Sequence, residues 1–339
     1  MKTTLPERDE PLDVAERLRL YRVPERRRAR SFAEDVRAGL AATPKRLSPM
    51  FLYDDLGSAL FEAICLLPEY YLTRAETEIL SRDAGDMLDA FGGPVELVEL
   101  GSGSAGKTRL LIAEALRRQP ELSYHPIDIS ATALVAAARG LTADFPGLTV
   151  HAHANDYFDV LADGRLRTQG RVLALFMGSN IGNFEPDRAA ALLRALAGAL
   201  RPGDGLLLGA DLKKAVRSLE AAYDDPTGVT AAFNKNLLGR INRELDGSFD
   251  LRAFRHVAHY DAAKGSVDSF LVSTWPQTVR IGALGIDVRF NGGESIHTES
   301  SHKFSPEDVA AMAHAAGFAV RESWTDAAHR FGVWLLLVA

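Results

Sequence analysis

Val95-Glu-Leu-Val-Glu99-Leu100-Gly101-Ser-Gly103-Ser-Ala-Gly-Lys107-Thr108 is the stretch that decides the fold. Residues 95–100 form an apolar run of strand length, and residues 107–118 then carry helical spacing. The glycines between them supply a turn in which the backbone can approach a ligand closely. A strand that enters a helix through such a turn is the unit of open parallel sheets that bind nucleotides. Working outward, residues 122–129, 148–152, 172–177 and 205–210 read as further strands, and residues 131–145 and 186–200 as helices. Strands separated by amphipathic helices imply a parallel sheet covered on both faces.

The pattern changes after Asp211. Helices are expected over 215–222 and 228–245, then alternating strand-like stretches over 252–260 and 267–274, with more strand in 279–290. A helix over 306–316 and strands over 319–323 and 332–338 return to the earlier style, and they can close the first sheet antiparallel. Upstream, residues 31–46, 58–66 and 74–89 read as helices. The expectation is an α/β chain: a Rossmann-like sheet interrupted by an inserted α+β substrate-binding domain. The sheet domain would take 75–213 plus 303–339, the substrate domain 31–74 plus 214–302, and residues 1–30, with their basic cluster at Arg26–Arg28 and Arg30, a flexible arm.

Composition narrows the class. The 339 residues carry 39 basic and 45 acidic side chains, a formal charge of −6, which gives no general support for nucleic-acid binding. No apolar run is long enough for a membrane span, and the first residues lack a signal-peptide core. Cys65 is the single cysteine and lies in an apolar run, so we expect a buried structural thiol in a cytoplasmic protein. His151 with His153, His256 with His259 and His297 with His302 lack zinc-type spacing, and no metal is expected. The tryptophans at 275, 324 and 334 read as packing.

The glycine turn supports two chemistries. Gly101 to Thr108 matches G-x-x-x-x-G-K-[ST], a phosphate loop, for which Asp211 at the end of 206–211 would be a loose magnesium-binding candidate. The same segment spells E-x-G-x-G from Glu99, as in Rossmann-like methyltransferases that bind S-adenosylmethionine. Three acids favour the second reading. Glu99 suits a cationic sulfonium better than a triphosphate. Asp128 ends the second strand, where it can accept from both ribose hydroxyls. Asp156 follows the third strand, where it can read an adenine amino group with Tyr157 packing on the ring. Lys107 would then be a first-turn residue that reaches the ligand carboxylate.

Four further segments are too polar and aromatic for simple core: Leu67-Pro-Glu-Tyr70-Tyr71, Gly178-Ser-Asn180-Ile-Gly182-Asn183-Phe184, Tyr223-Asp-Asp-Pro-Thr-Gly-Val-Thr-Ala-Ala-Phe-Asn234, and Thr298-Glu299-Ser300-Ser301-His302-Lys303-Phe304. Together with the glycine turn, they make residues 32–339 resemble the L-histidine Nα-methyltransferases of ergothioneine biosynthesis. The resemblance implies that Asn183 and Tyr223 hold the α-amino and α-carboxylate groups of the substrate. Tyr70, Glu299 and Ser301 would surround its imidazole, with Tyr53, Gly178 and Asn180 near the pocket. Gly101, Gly103, Lys107, Asp128, Asp156 and Tyr157, beside Glu99, would bind S-adenosylmethionine. Catalysis would be mostly positioning of a neutral amine against the methyl, and the protein a monomer acting on a small molecule. Two positions depart from the family pattern: Ser269, where a Met near the substrate ring is usual, and Asn180, often Thr.

Overall fold

The computed structural model describes residues 12–22, 31–162, 168 and 170–339. The parallel strands are β4 (Glu96–Leu100), β5 (Leu122–Asp128), β6 (Leu148–Ala154), β7 (Val172–Phe176) and β8 (Gly205–Asp211). They lie in the order β6-β5-β4-β7-β8. Every residue of β7 and β8 is buried, the continuous pattern of strands covered on both faces. β15 (Phe331–Val338) pairs antiparallel with β8, and β14 (Phe318–Thr325) with β15, so the chain closes the sheet as its pattern implied.

The helices α4 (Thr108–Arg118), α5 (Ala131–Asp144) and α7 (Pro186–Ala199) follow β4, β5 and β7. Local chemistry starts them: Ser130 accepts from Ala133 N at the head of α5, and Pro186 opens α7. The long α3 (Leu72–Phe91) packs on β15 and α4 and ends at Gly92, which adopts φ +80°.

Two expectations change. Within the supposed arm, β1 (Leu12–Ala15) and β2 (Leu18–Arg22) form a hairpin whose β2 pairs parallel with β6, making the sheet nine-stranded. Leu18 and Leu20 alternate with polar residues on β2, and that short apolar face is buried on the sheet edge. Arg17 fixes the hairpin by donating to the carbonyls of Thr142, Phe145, Pro146 and Leu148. The arginine cluster lies outside the described residues. The helix expected over 31–46 stops early: α1 (Phe32–Ala41) is followed by β3 (Lys45–Arg46), because Pro44 cannot continue a helix.

A second, four-stranded sheet has the order β3-β13-β10-β9, built from β9 (Phe254–Asp261), β10 (Ser266–Ser273) and β13 (Ser295–His302). The ambiguous stretch between β10 and β13 is a separate hairpin, β11 (Gln277–Ile281) with β12 (Ile286–Phe290). α2 (Asp55–Cys65) packs against α9 (Val229–Leu245), which also contacts β9 and β10, and α8 (Val216–Tyr223) contacts β9 and β10. Trp334 is buried on β15, whereas Trp275 is about half exposed and belongs to no core. Cys65 is a half-buried free thiol, pushed up by burial.

Candidate active site

The strand order reverses direction of growth at β4, which has β5 on one side and β7 on the other. Such a switch point opens a crevice beyond the carboxyl ends of the strands, where open α/β sheets bind ligands. The turn after β4 is the glycine turn. The turn after β7 is Gly178 to Asn183. The two meet across the crevice: a Cβ on Gly101 would lie 2.9 Å from Asn180 Nδ2, and one on Gly178 would lie 3.3 Å from Lys107 Nζ.

Gly101 and Gly103 adopt φ +70° and +51°, where other residues are strained. Nothing lies within 4 Å of the Cβ position of Gly103, so the backbone there is open to a ligand. Asp128, at the tip of β5, accepts from Gly103 N and Ser130 N, both at 2.9 Å. Burial raises its carboxyl pKa, and those backbone N–H groups oppose the rise. A carboxylate has about four acceptor sites, so two remain for a diol. Asp156 takes Phe158 N at 2.8 Å, and Tyr157 sits in an aromatic cluster with Phe158, Phe176 and Phe184. An open glycine cradle beside a diol acceptor is a donor and acceptor set into which S-adenosylmethionine fits.

Glu99 requires a correction. Its carboxylate does not face the crevice: it accepts from Thr108 Oγ1 at 2.7 Å and from the Tyr124 hydroxyl, and it is almost fully buried. It braces the turn from beneath, and burial pushes it up to about 7. Lys107 is paired with Glu76, a fully buried carboxylate that also accepts from Gly178 N at 2.8 Å. The phosphate-loop reading fails on the same atoms. Thr108 spends its hydroxyl on Glu99, and Asp211 is fully buried among Tyr71, Lys214 and Lys303 rather than set toward a ligand.

Beyond the turn after β7 lies a pocket that gathers Tyr53, Tyr70, Gly178, Asn180, Asn183, Tyr223, Glu299 and Ser301 from five separate segments. Each is held for a local reason. Ser179 takes a left-handed backbone at φ +59°, stabilised because its Oγ accepts from Asp211 N at 3.0 Å. That bend starts the short 3-10 turn Asn180–Asn183. A Cβ on Gly182 would lie 2.6 Å from His302 O, so only glycine lets this turn rest on β13. The backbone N–H of Asn180 donates to Met177 O, and both Asn180 and Asn183 line the pocket, where their side-chain amides can meet a ligand.

Tyr53, Phe61, Tyr70 and Phe233 interlock edge to face, with centroids 5.5–6.1 Å apart, as the aromatic wall. Burial raises both tyrosine hydroxyls well above the usual phenol range, so they stay protonated. Glu299 faces this wall in a nearly water-free setting. Burial pushes its carboxyl up to about 7, and the Lys303 ammonium pulls the other way. Tyr223 Oη lies 2.7 Å from Ser301 Oγ, and Lys303 Nζ lies 2.8 Å from each.

Ser269 is the one expected pocket residue that the lining omits. It stands opposite Glu299 in the β10–β13 ladder, so the two share a face, but a serine side chain is too short to reach past its neighbour. Its hydroxyl is buried with no hydrogen-bond partner. Sequence reasoning missed Phe61, Ile64, Thr230 and Phe233 as lining residues, and Glu76, Asp211 and Lys303 behind them. Phe61 and Ile64 had a signal, the i, i+3 spacing of α2. The charged residues had none for their pairing: Asp211 ends an apolar strand, whereas Lys303 follows the largely polar β13.

The crevice and its open glycine turn define an enzyme of the Rossmann-like methyltransferase class. The chain belongs to the histidine-specific, S-adenosylmethionine-dependent methyltransferase family, whose model matches residues 32–338. It is 45% identical to a histidine N-alpha-methyltransferase of Mycobacterium tuberculosis, over 89% of this chain and 93% of that one. It is 29% identical to ergothioneine biosynthesis protein 1 of Neurospora crassa, over 86% of this chain and 33% of that one. An L-tryptophan methyltransferase, trpM, of Psilocybe serbica is 25% identical over 81% of this chain and 83% of its own. The chain is an S-adenosylmethionine-dependent N-methyltransferase.

Proposed function

We propose that the enzyme transfers three methyl groups in succession from S-adenosylmethionine to the α-amine of L-histidine. The product is hercynine, Nα,Nα,Nα-trimethylhistidine, and the step opens ergothioneine synthesis. We place the reaction in the cytoplasm and read the protein as a monomer with no nucleic-acid or membrane partner. Residues 31–74 plus 214–302 serve as the substrate-binding domain, and 75–213 plus 303–339 as the cofactor domain.

The observation that carries this reading is the pair Glu299 and Ser301 on one face of β13 in an aromatic pocket. Two residues along a strand span about 6.7 Å, a distance that a five-membered ring bridges with a hydrogen bond at each nitrogen. Glu299 accepts from the ring N–H, and the hydroxyl opposite meets the other nitrogen. Asn183, with Tyr223 nearby, holds the α-amino and α-carboxylate end, which points the amine at the crevice between the two turns. Asn180 and Gly178 form the wall between amine and cofactor. Gly101, Gly103, Lys107, Asp128, Asp156 and Tyr157 would hold S-adenosylmethionine, which supplies an activated methyl when bound.

The residues' share of the chemistry is alignment and exclusion of water. The amine must arrive neutral, and its proton passes to solvent. As methyls accumulate, the nitrogen becomes a fixed cation that can no longer donate, and polar acceptors and aromatic walls of the pocket can stabilise it.

A split in affinities tests the site. In Glu299→Ala, histidine binding should weaken by about 30-fold or more, while S-adenosylhomocysteine binding stays within about threefold. Equal loss of both would remove Glu299 from the substrate site.

A further inference from the structure

Lys303 lies behind the pocket, is not among the residues that line it, and is held against two of them, Tyr223 and Ser301. Its side chain is fully buried. Its three N–H donors have three acceptors: Asp211 Oδ2 at 3.0 Å, Tyr223 Oη at 2.8 Å and Ser301 Oγ at 2.8 Å. Asp211 is itself fixed by Tyr71, which donates to both its oxygens at 2.9 Å, and by Lys214. The lysine therefore cannot rotate to serve a ligand without leaving an acceptor empty.

Counting protons gives the consequence. Each hydroxyl accepts one bond from Lys303, and the 2.7 Å contact between them consumes one of their two protons. The other proton has no protein acceptor among the described residues. Both hydroxyls line the pocket, so that proton points into it. A phenol is the stronger donor of the two, so Tyr223 donates to Ser301 and Ser301 donates to the ligand. Chains of this kind polarise one another and strengthen the terminal donor. Glu299, two residues away on the same face of β13, presents an acceptor.

We propose that Lys303 is a positioning residue that makes Ser301 an obligate hydrogen-bond donor, so that the pocket selects a ring bearing one N–H and one acceptor nitrogen. This rests on the histidine reading of the pocket and assigns the orientation of the ring's second contact, Ser301, to a residue that never meets the ring. A lysine that merely filled the core would affect all substrates alike. One that orients a proton affects only ligands carrying the acceptor.

The test compares histidine with the two pyrrolylalanines, which keep one ring N–H but lack the acceptor nitrogen. Asp211→Asn accompanies Lys303→Met so that the sealed carboxylate does not outlast its lysine; Lys214, the other partner of Asp211, keeps Tyr71 Oη and Leu212 O as acceptors. The wild-type enzyme should prefer histidine by at least about 100-fold in kcat/KM, because a site built for a hydrogen bond rejects a ligand that cannot make it. In the double variant the preference should fall below about tenfold, with S-adenosylhomocysteine affinity within about threefold. A preference that survives while both substrates slow together overturns the proposal. Two single variants decide it even if the double variant fails to fold. Ser301→Ala should abolish the preference and Tyr223→Phe should largely retain it, since Lys303 still holds Ser301 as an acceptor. The reverse pattern assigns the donor to Tyr223 and also overturns the proposal. A wild-type enzyme that shows no preference for histidine would instead defeat the substrate reading.

Discussion

The turns after β4 and β7 flank one crevice and are built on different principles. The first is a backbone site. Its glycines present an open main chain, and Asp128 uses backbone donors to hold its shape. The second opens onto a side-chain site, in which α2, the start of α3, α8, α9 and β13 each contribute one or two groups. Two lysines mark the contrast. Lys107 is partly exposed and has one carboxylate partner, which leaves donors for a ligand. Lys303 is sealed and has spent all three. The difference shows that a shared cofactor can be held by a contiguous motif, whereas substrate choice needs groups that only tertiary packing brings together.

Damage on the cofactor side should be largest and should spare substrate contacts. Asp128→Ala removes the acceptor for the ligand and for Gly103 N together. S-adenosylhomocysteine affinity by calorimetry should fall about 100-fold or more, since hydrogen bonds to a charged group contribute about 1.5–3 kcal/mol each. A loss under threefold would break the assignment. On the substrate side, Asn183→Ala should cut kcat/KM for histidine by about 30-fold and leave cofactor affinity within threefold. Equal effects on both would erase the distinction between the two sites.

Lys107→Met sits at the junction. We expect cofactor affinity to drop about tenfold, together with a lower melting temperature, because Glu76 is left buried without its cation. An unchanged melting temperature would show that the pair does not brace α3 against the turn.

How much of this was legible in sequence follows the same divide. The parallel sheet could be read because each strand is a short apolar run bounded by glycine or by a helical period. Asp128 and Gly103 could be placed because they lie at fixed steps from a strand end. Glu99 was placed correctly along the chain but not in direction: alternation along β4 cannot say which face meets the ligand when both faces are covered. The pocket depended on the resemblance, since nothing local relates Tyr70 to Glu299. Lys303 and Asp211 were hidden because a buried ion pair looks, in sequence, like two surface charges. The β1–β2 hairpin was hidden by the charged residues around it.

The smallest expected effect is a slope. Glu99 and Glu299 sit near 7 in the folded chain, above the ordinary carboxylate value of about 4.3. Between those values the folded state keeps protons that the unfolded chain has lost, so stability falls as pH rises through the window. The ligand-free melting temperature should decline from about pH 5 to about pH 8, and Glu299→Gln should make the decline shallower. An identical slope in the variant would mean that Glu299 is ionised in the folded chain throughout.

Purified enzyme incubated with S-adenosylmethionine and an equimolar panel of histidine, tryptophan, tyrosine and phenylalanine can be followed by mass spectrometry of every amino acid. The account predicts that histidine alone is consumed and ends as its trimethylated α-amine. Methylation of tryptophan or tyrosine in preference to histidine would contradict it.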